Sequence, residues 1–218
     1  MSESVQSVLL IDDHPLLRQG VRQLLALEPS LRVAGEAGSG REGLELARRL
    51  QPDLILLDLN MPDMDGLAVL AAIREAELDS RIIVYTVSDQ EDDVVRALRA
   101  GADGYLLKDM PPLEMLDSIR AVARGQIALS ERLTALLAHA LRQEGRATAA
   151  PKAELTERER EILALIAEGR SNKLIARELN IAEGTVKVHI KHILKKLDLS
   201  SRVEAAVWAV KHGYRRKG

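Results

Sequence analysis

Carboxylates follow two apolar runs of the chain, directly after each run ends. Asp12 and Asp13 come after residues 8–11, and Asp58 comes after Leu54–Leu57. If both runs are strands of a parallel sheet, their carboxyl ends meet at one edge and bring three acids together. Three adjacent carboxylates repel one another, and a divalent cation relieves that repulsion. The pattern therefore predicts Mg²⁺-dependent phosphoryl chemistry on an aspartate rather than a structural acid cluster.

The composition is that of an ordinary soluble globular protein. Hydrophobic residues make up 46% of the 218 positions and charged residues 29%, while aromatic residues make up only 2%. The cores must therefore be aliphatic. The absence of cysteine excludes disulfides and thiolate metal sites. No apolar run approaches the roughly 20 residues that span a bilayer, and the N-terminus has no signal-like core. We expect a cytoplasmic protein.

The net charge of −2 hides an uneven distribution. Residues 1–150 contain 16 basic and 24 acidic side chains, a balance of −8, and residues 151–218 contain 15 and 9, a balance of +6. This asymmetry predicts two domains with different partners. A basic second domain is a candidate for nucleic acid, because Lys and Arg displace counterions from phosphates.

Short apolar runs alternate with stretches of helical periodicity over about the first 125 residues. The predicted strands cover residues 7–11, 31–35, 54–57, 82–86 and 104–107. This alternation predicts an α/β domain of the flavodoxin-like type, a five-stranded parallel sheet with helices on both faces. The polar residues at the predicted strand ends are Asp12, Asp13, Asp58, Thr86 and Lys108.

The remainder of the chain has only helical patterns. We predict a first domain over residues 1–125, a linker over 126–152 that contains an amphipathic helix at 130–143, and an all-α domain over 153–218. In the last domain, Thr156 and Glu159 have the spacing of a capping box. Further helices are predicted over residues 172–179, 182–197 and 200–212, and the first two of these form a helix-turn-helix.

Residues 6–124 resemble the receiver domain of two-component response regulators. The resemblance is carried by the acids, the threonine and the lysine in register with the predicted strands, together with residues 61–66, Met-Pro-Asp-Met-Asp-Gly, and 101–105, Gly-Ala-Asp-Gly-Tyr. It implies that Asp58 accepts a phosphoryl group from a phosphohistidine of a sensor histidine kinase. It also implies Mg²⁺ as the cofactor. The implied metal ligands are Asp12, Asp13, Asp58 and the backbone carbonyl of Asn60.

The receiver resemblance also implies a switch. Lys108 binds a phosphoryl oxygen, or pairs with Asp58 before phosphorylation. The Thr86 hydroxyl donates to the phosphoryl group and moves inward, and Tyr105 fills the space that it leaves. A buried tyrosine that only packs in the core is the alternative for Tyr105.

Residues 153–212 resemble the LuxR-type helix-turn-helix, through runs such as Thr185-Val186-Lys187-Val188-His189. The third tail helix is then the recognition helix, and a helix of this kind enters the major groove. We expect Lys187, Val188 and Lys191 to read bases. Phosphate contacts are expected from Thr185, Lys195 and Lys196. In this family the exposed part of the last helix pairs two domains, and the expected dimer residues are Val203, Val207 and Val210.

Together the two resemblances place the chain with the NarL/FixJ family of response regulators, and most closely with its nitrate/nitrite-responsive members. They imply a transcription regulator, at most able to remove its own phosphoryl group, in which the unphosphorylated receiver covers the recognition helix. The implied partners are a sensor histidine kinase, double-stranded DNA, a second copy of the chain and RNA polymerase. Three alternatives remain: a family member with another stimulus, an Mg²⁺-dependent phosphatase, and a constitutive DNA binder with a degenerate receiver.

Overall fold

A computed structural model describes residues 5–124, 154–199 and 201–214. The chain separates into two compact units, one ending at Ala123 and the other comprising the residues after it. The predicted linker at 126–152, its helix at 130–143 and the predicted helix start at Ser200 lie outside the described residues. No helix in the described ranges is long and apolar enough to cross a membrane.

The first unit is a five-stranded parallel sheet in the order β2-β1-β3-β4-β5. Its strands are β1 (Gln6–Ile11), β2 (Leu31–Ala37), β3 (Leu54–Leu57), β4 (Arg81–Thr86) and β5 (Gly104–Leu107). Its helices are α1 (Pro15–Leu25), α2 (Gly40–Leu50), α3 (Gly66–Glu75), α4 (Glu91–Arg99) and α5 (Pro112–Ala123). The predicted α/β class and its five strands are confirmed, with β2 two residues longer than predicted.

The strand order places the functional edge between β1 and β3. The chain reverses its winding direction at these neighbours, and in open α/β sheets ligands bind outside the strand ends at such a point. Ile11 pairs with Leu57, and the amide of Asp58 donates to the carbonyl of Ile11 at 2.9 Å. The residues that follow the two strands are therefore neighbours in space.

Burial explains why these runs form central strands. All four residues of β3 are buried, and so are the last four of β1. A strand covered on both faces reads as a continuous aliphatic run instead of an alternating one. Thr86 pairs with Leu107, and the amide of Lys108 donates to the Thr86 carbonyl at 2.9 Å. The same register thus places the polar ends of β4 and β5 beside those of β1 and β3.

The second unit contains α6 (Glu157–Ala167), α7 (Asn172–Leu179), α8 (Glu183–Leu197) and α9 (Arg202–Lys211). The capping box predicted at Thr156 and Glu159 is present. α8 begins one residue later than predicted, since Ala182 has an extended backbone and forms the N-cap. α9 begins at Arg202, where Ser201 is the N-cap and its side chain accepts from the amide of Glu204.

Gly66, the first residue of α3, packs against the backbone that follows β3. A Cβ at this position would lie 2.1 Å from the carbonyl oxygen of Asp58 and 2.6 Å from the Cα of Leu59. Real contacts of this kind do not occur, so the backbone would have to move. The glycine therefore fixes how closely α3 approaches Asp58.

Gly66→Ala should destabilise the first unit by about 1–3 kcal/mol, because the added methyl group forces the two backbone segments apart. Gly20→Ala is the matched control, since Gly20 lies in α1 and a Cβ there would have nothing within 4 Å. It should stabilise the unit by about 0.5–1 kcal/mol. Native-state hydrogen exchange of the β1 and β3 amides measures both effects. Equal exchange in the two variants would contradict this account of Gly66.

Candidate functional site

A buried lysine bridges the two carboxylates at the ends of β1 and β3. Lys108 Nζ lies 2.7 Å from Asp12 Oδ2 and 2.7 Å from Asp58 Oδ2, and none of the three side chains is more than 8% exposed. Burial alone would lower the pKa of Lys108, but the hydrogen bonds to Asp12 and Asp58 outweigh it and raise that pKa. The ammonium therefore stays charged and offsets part of the repulsion between the two acids.

Asp13 and His14 extend this cluster toward solvent. His14 Nδ1 lies 2.8 Å from Asp13 Oδ1 and 3.1 Å from Asp12 Oδ1, and the His14 amide donates to Asp12 Oδ1 at 2.8 Å. One possible ligand atom from each of Asp12, Asp13, His14 and Asp58 falls within 4.8 Å of the others. His14 was not among the predicted residues, and its only signal in the sequence is its place directly after the acid pair.

The donor set fits a hard divalent cation. Three carboxylates converge at the strand ends, and Mg²⁺ prefers oxygen ligands. Asn60 lies beside these carboxylates, and its backbone amide donates to Asp58 Oδ1 at 3.3 Å. When bound, Mg²⁺ would be held by the aspartates and the Asn60 carbonyl and would offset the charge of a transferring phosphoryl group. The structure thus brings together the four residues predicted as metal ligands.

The predicted switch residues are connected through Ser88, a serine that no motif in the sequence singles out. Thr86 Oγ1 accepts from Asn60 Nδ2 at 3.3 Å and from the Ser88 amide at 3.4 Å. The Tyr105 hydroxyl donates to the Ser88 carbonyl at 2.8 Å, and Ser88 Oγ donates to Asp93 of α4 at 2.6 Å. Ser88 therefore connects Thr86, Tyr105 and the first turn of α4.

Tyr105 already occupies an interior position. Its side chain is 2% exposed, and burial, followed by the nearby charge of Asp93, raises the pKa of its hydroxyl to about 12. The side chain of Tyr105 is therefore already buried in this structure. The hydroxyl stays protonated at neutral pH and can continue to donate to Ser88.

The candidate DNA-contacting face lies on α8. Thr185, Val188, Lys191 and Lys195 are exposed, and Lys187 is half-buried. Val188 is 53% exposed, which is unusual for a large aliphatic side chain on a helix with a buried opposite face. That buried face consists of Val186, Ile190, Ile193 and Leu197. The helix is therefore amphipathic, with its buried face packed into the core of the second unit.

Lys196 differs from the other predicted phosphate contacts. Its ammonium donates to Glu159 Oε2 at 2.7 Å and to the Glu154 carbonyl at 3.2 Å. Glu159 is buried and also accepts from the Thr156 amide, so Lys196 supplies the positive charge beside the glutamate of the α6 capping box. The ion pair holds α8 against α6, and a phosphate could engage Lys196 only by competing with Glu159.

Two of the three predicted dimer residues require a correction. Val203 and Val207 are 1% and 7% exposed, because this face of α9 packs into the core of its own unit. They are therefore unavailable to a second copy. Val210 is 40% exposed and is the member of the predicted set that can contact a partner.

Comparisons with known proteins agree with both parts of the chain. Residues 8–120 match the family described as response regulator receiver domain, and residues 153–209 match that described as bacterial regulatory proteins, luxR family.

Similar proteins extend over almost the whole length. The nitrate/nitrite response regulator protein NarL of Escherichia coli is 57% identical over 93% of this chain and 94% of its own, and NarP of the same organism is 50% identical over 92% of each. The crystal structure of the response regulator ChrA, from a heme-sensing two-component system, is 32% identical, covers 98% of this chain and 100% of its own, and has a TM-score of 0.52.

Glu159 makes stability of the second unit depend on pH. Burial alone would raise the pKa of Glu159, but the hydrogen bonds from Lys196 and Thr156 outweigh it and lower that pKa. The contribution is therefore present above the unfolded-state pKa and is lost as the pH falls through the lower folded-state value. Glu159→Gln should cost about 1–2 kcal/mol at neutral pH, and the difference from wild type should vanish in acid.

Urea unfolding followed by the fluorescence of Trp208 measures this difference, because the single tryptophan of the chain is buried in the same unit. Glu157→Gln is the matched control: it changes an exposed glutamate of the same helical turn and should stay within about 0.5 kcal/mol of wild type. If Glu159→Gln lowered the free energy of unfolding equally at every pH, the ion pair between Glu159 and Lys196 would not contribute to stability.

Proposed function

Since this chain belongs to the NarL/FixJ family of two-component response regulators, we propose that phosphorylation of Asp58 by a sensor histidine kinase controls its binding to specific DNA sites. The observation that carries this proposal is the buried Asp12–Lys108–Asp58 cluster at the edge between β1 and β3. It lies on the same chain as a LuxR-type DNA-binding domain. Family membership establishes that the chain is a response regulator with a DNA-binding domain, and this cluster supports phosphorylation of Asp58 as the control.

The input reaction is transfer of a phosphoryl group from a phosphohistidine. An oxygen of the Asp58 carboxylate attacks phosphorus, the phosphorus–nitrogen bond breaks, and the imidazole leaves with the bonding electron pair. The product is an acyl phosphate on Asp58. Lys108 stands 2.7 Å from Asp58 Oδ2 and supplies a fixed positive charge beside the incoming group. The chain contributes mainly position and charge.

The response begins at Thr86. Both hydrogen bonds to Thr86 Oγ1 use it as an acceptor, so its hydroxyl proton can be donated to a phosphoryl oxygen. A shift of Thr86 toward Asp58 changes its contact with Ser88. Because Ser88 also contacts Tyr105 and Asp93, the shift extends to α4. Phosphorylation would thereby change the population of two receiver conformations.

A docking surface for the kinase surrounds the phosphorylation site. Leu16 in the first turn of α1, Val87 after β4 and Leu113 in the first turn of α5 are exposed. All three follow carboxyl ends of strands, on the same edge of the sheet as Asp58. Exposed large apolar side chains around a buried acid are suited to contact with a protein partner, since a small phosphate donor is polar and would not contact them.

On the output side, we propose that α8 enters the major groove of promoter DNA. Lys187, Val188 and Lys191 then read base edges, and Thr185 and Lys195 contact phosphates. A dimer formed through the exposed end of α9, at Val210, places two such helices on paired half-sites. RNA polymerase is the expected further partner, in the cytoplasm.

Nitrate or nitrite as the stimulus is supported by the two similar proteins whose names state that response. A different stimulus is the alternative, because a two-component system named for heme sensing also uses a regulator similar to this chain.

Phosphorylation should tighten DNA binding on the order of 5- to 150-fold, the usual range for coupling between two sites. Duplexes selected from a random pool by the acetyl phosphate-treated chain serve as probes, and fluorescence anisotropy gives their dissociation constants with and without treatment. Asp58→Asn should show no gain. An equal gain in affinity in that variant would show that the effect does not pass through Asp58, and no gain in wild type would favour a constitutive DNA binder; either result would contradict the proposal.

The same selected duplexes test the recognition helix. Lys191→Ala should weaken discrimination between bases at one position by about 1–3 kcal/mol, since a bidentate base contact is lost. Lys195→Ala should instead weaken all duplexes alike and reduce the salt dependence by about one phosphate contact. Unchanged base preference in Lys191→Ala would remove this residue from the readout.

A further inference from the structure

Residues 59–65, which follow Asp58 in the connection between β3 and α3, form a loop that is closed at its base. The amides of Met61 and Gly66 donate to the Leu59 carbonyl at 3.2 and 3.0 Å, and Gly66 packs on the Asp58 carbonyl. This loop carries Asn60, which lies beside Asp58 and Thr86. Its base is therefore fixed by the backbone, whereas its middle needs an anchor from elsewhere in the fold.

Asp63 supplies that anchor at the N-terminus of α2. Its Oδ1 accepts from the Gly40 amide at 2.9 Å, and its Oδ2 accepts from the Arg41 amide at 3.1 Å. The first amides of a helix have no intrahelical acceptor, and a negative charge there is favourable. The hydrogen bonds from Gly40 and then Arg41 lower the pKa of Asp63, so it is a carboxylate at neutral pH. Its two oxygens thus tie the middle of the loop to α2.

Two glycines bring α2 unusually close to both halves of the acidic site. A Cβ on Gly40 would lie 2.7 Å from the Met64 carbonyl, within the loop. A Cβ on Gly43 would lie 2.6 Å from the side chain of Ile11, the residue before Asp12. The first turn of α2 therefore contacts the loop on one side and the end of β1 on the other.

We propose that Asp63 is a positioning residue of the phosphoryl site, holding the loop of Asn60 at a fixed distance from the acid pair at the end of β1. The inference rests on the proposed function, because the site that it positions is the one around Asp58. Asp63 touches neither Asp58 nor its neighbours in the acidic cluster. It acts through α2, which serves as a spacer between residues 59–65 and Ile11.

The test compares Mg²⁺ affinity in the full-length chain, measured from amide chemical shifts in an Mg²⁺ titration without any phosphoryl donor. Asp63→Ala should raise the dissociation constant on the order of tenfold, as for residues that orient metal ligands. The dissociation constant of Asp63→Asn should lie between those of wild type and Asp63→Ala, because the asparagine side chain has one acceptor oxygen in place of two. Ser39→Ala is the matched control. It removes the hydroxyl that accepts from the backbone amide of Glu42 at the same end of α2, but it leaves residues 59–65 unchanged.

Two further readouts separate positioning from general destabilisation. Hydrogen exchange of the Gly40 and Arg41 amides should accelerate in Asp63→Ala. At saturating Mg²⁺ the rate of Asp58 labelling by acetyl phosphate should recover to within about threefold of wild type, since the loss is in metal binding.

The proposal is overturned if the Mg²⁺ dissociation constant of Asp63→Ala is within about twofold of wild type. It is also overturned if Ser39→Ala weakens Mg²⁺ binding as much as Asp63→Ala does. A wild-type chain that binds Mg²⁺ but takes no phosphoryl group would instead refute the proposed function. In that case the comparison of Mg²⁺ affinities still decides the role of Asp63.

Discussion

The first unit depends on one electrostatic arrangement, in which a buried ammonium lies between two buried carboxylates. Lys108 contacts Asp12 and Asp58 equally closely, so three strands converge on one charge. Removing one partner of such a group leaves an uncompensated buried charge, which costs far more than a surface ion pair contributes. The lysine charge therefore allows two buried carboxylates to lie close together at this edge of the sheet.

Register makes that arrangement possible. Side chains alternate between the faces of a strand, so a shift of one residue would carry the polar ends away from one another. The pairs Ile11–Leu57 and Thr86–Leu107 fix the alignment, and the aliphatic strands leave little freedom to slip. Packing of ordinary aliphatic residues thus sets the geometry on which the chemistry depends. Contacts from α2 to Asp63 and from Ser88 to Asp93 then connect this edge of the sheet to the surrounding helices.

Much of this could be predicted from the sequence, because the signals are local. The strands are continuous apolar runs with polar ends, and the capping box of α6 is a spacing of three. The contacts of Ser88 and Asp63 could not be predicted, since each joins groups distant in sequence. The Tyr105 hydroxyl donates to the Ser88 carbonyl, and the Gly40 amide donates to the Asp63 carboxylate. Lys196 and Val203 show the same limit. The resemblance assigned Lys196 to DNA and Val203 to a second copy, but the packing of α6, α8 and α9 engages both within their own unit.

The most direct test of the central claim is the intact mass of the chain after incubation with acetyl phosphate, with and without Mg²⁺, for wild type and Asp58→Asn. We expect a gain of one phosphoryl group that requires both Mg²⁺ and Asp58. A gain in Asp58→Asn, or no gain in wild type under any condition, would contradict it. The acidic edge of the sheet would then be a docking surface for another protein, and the DNA-binding domain would act without this input.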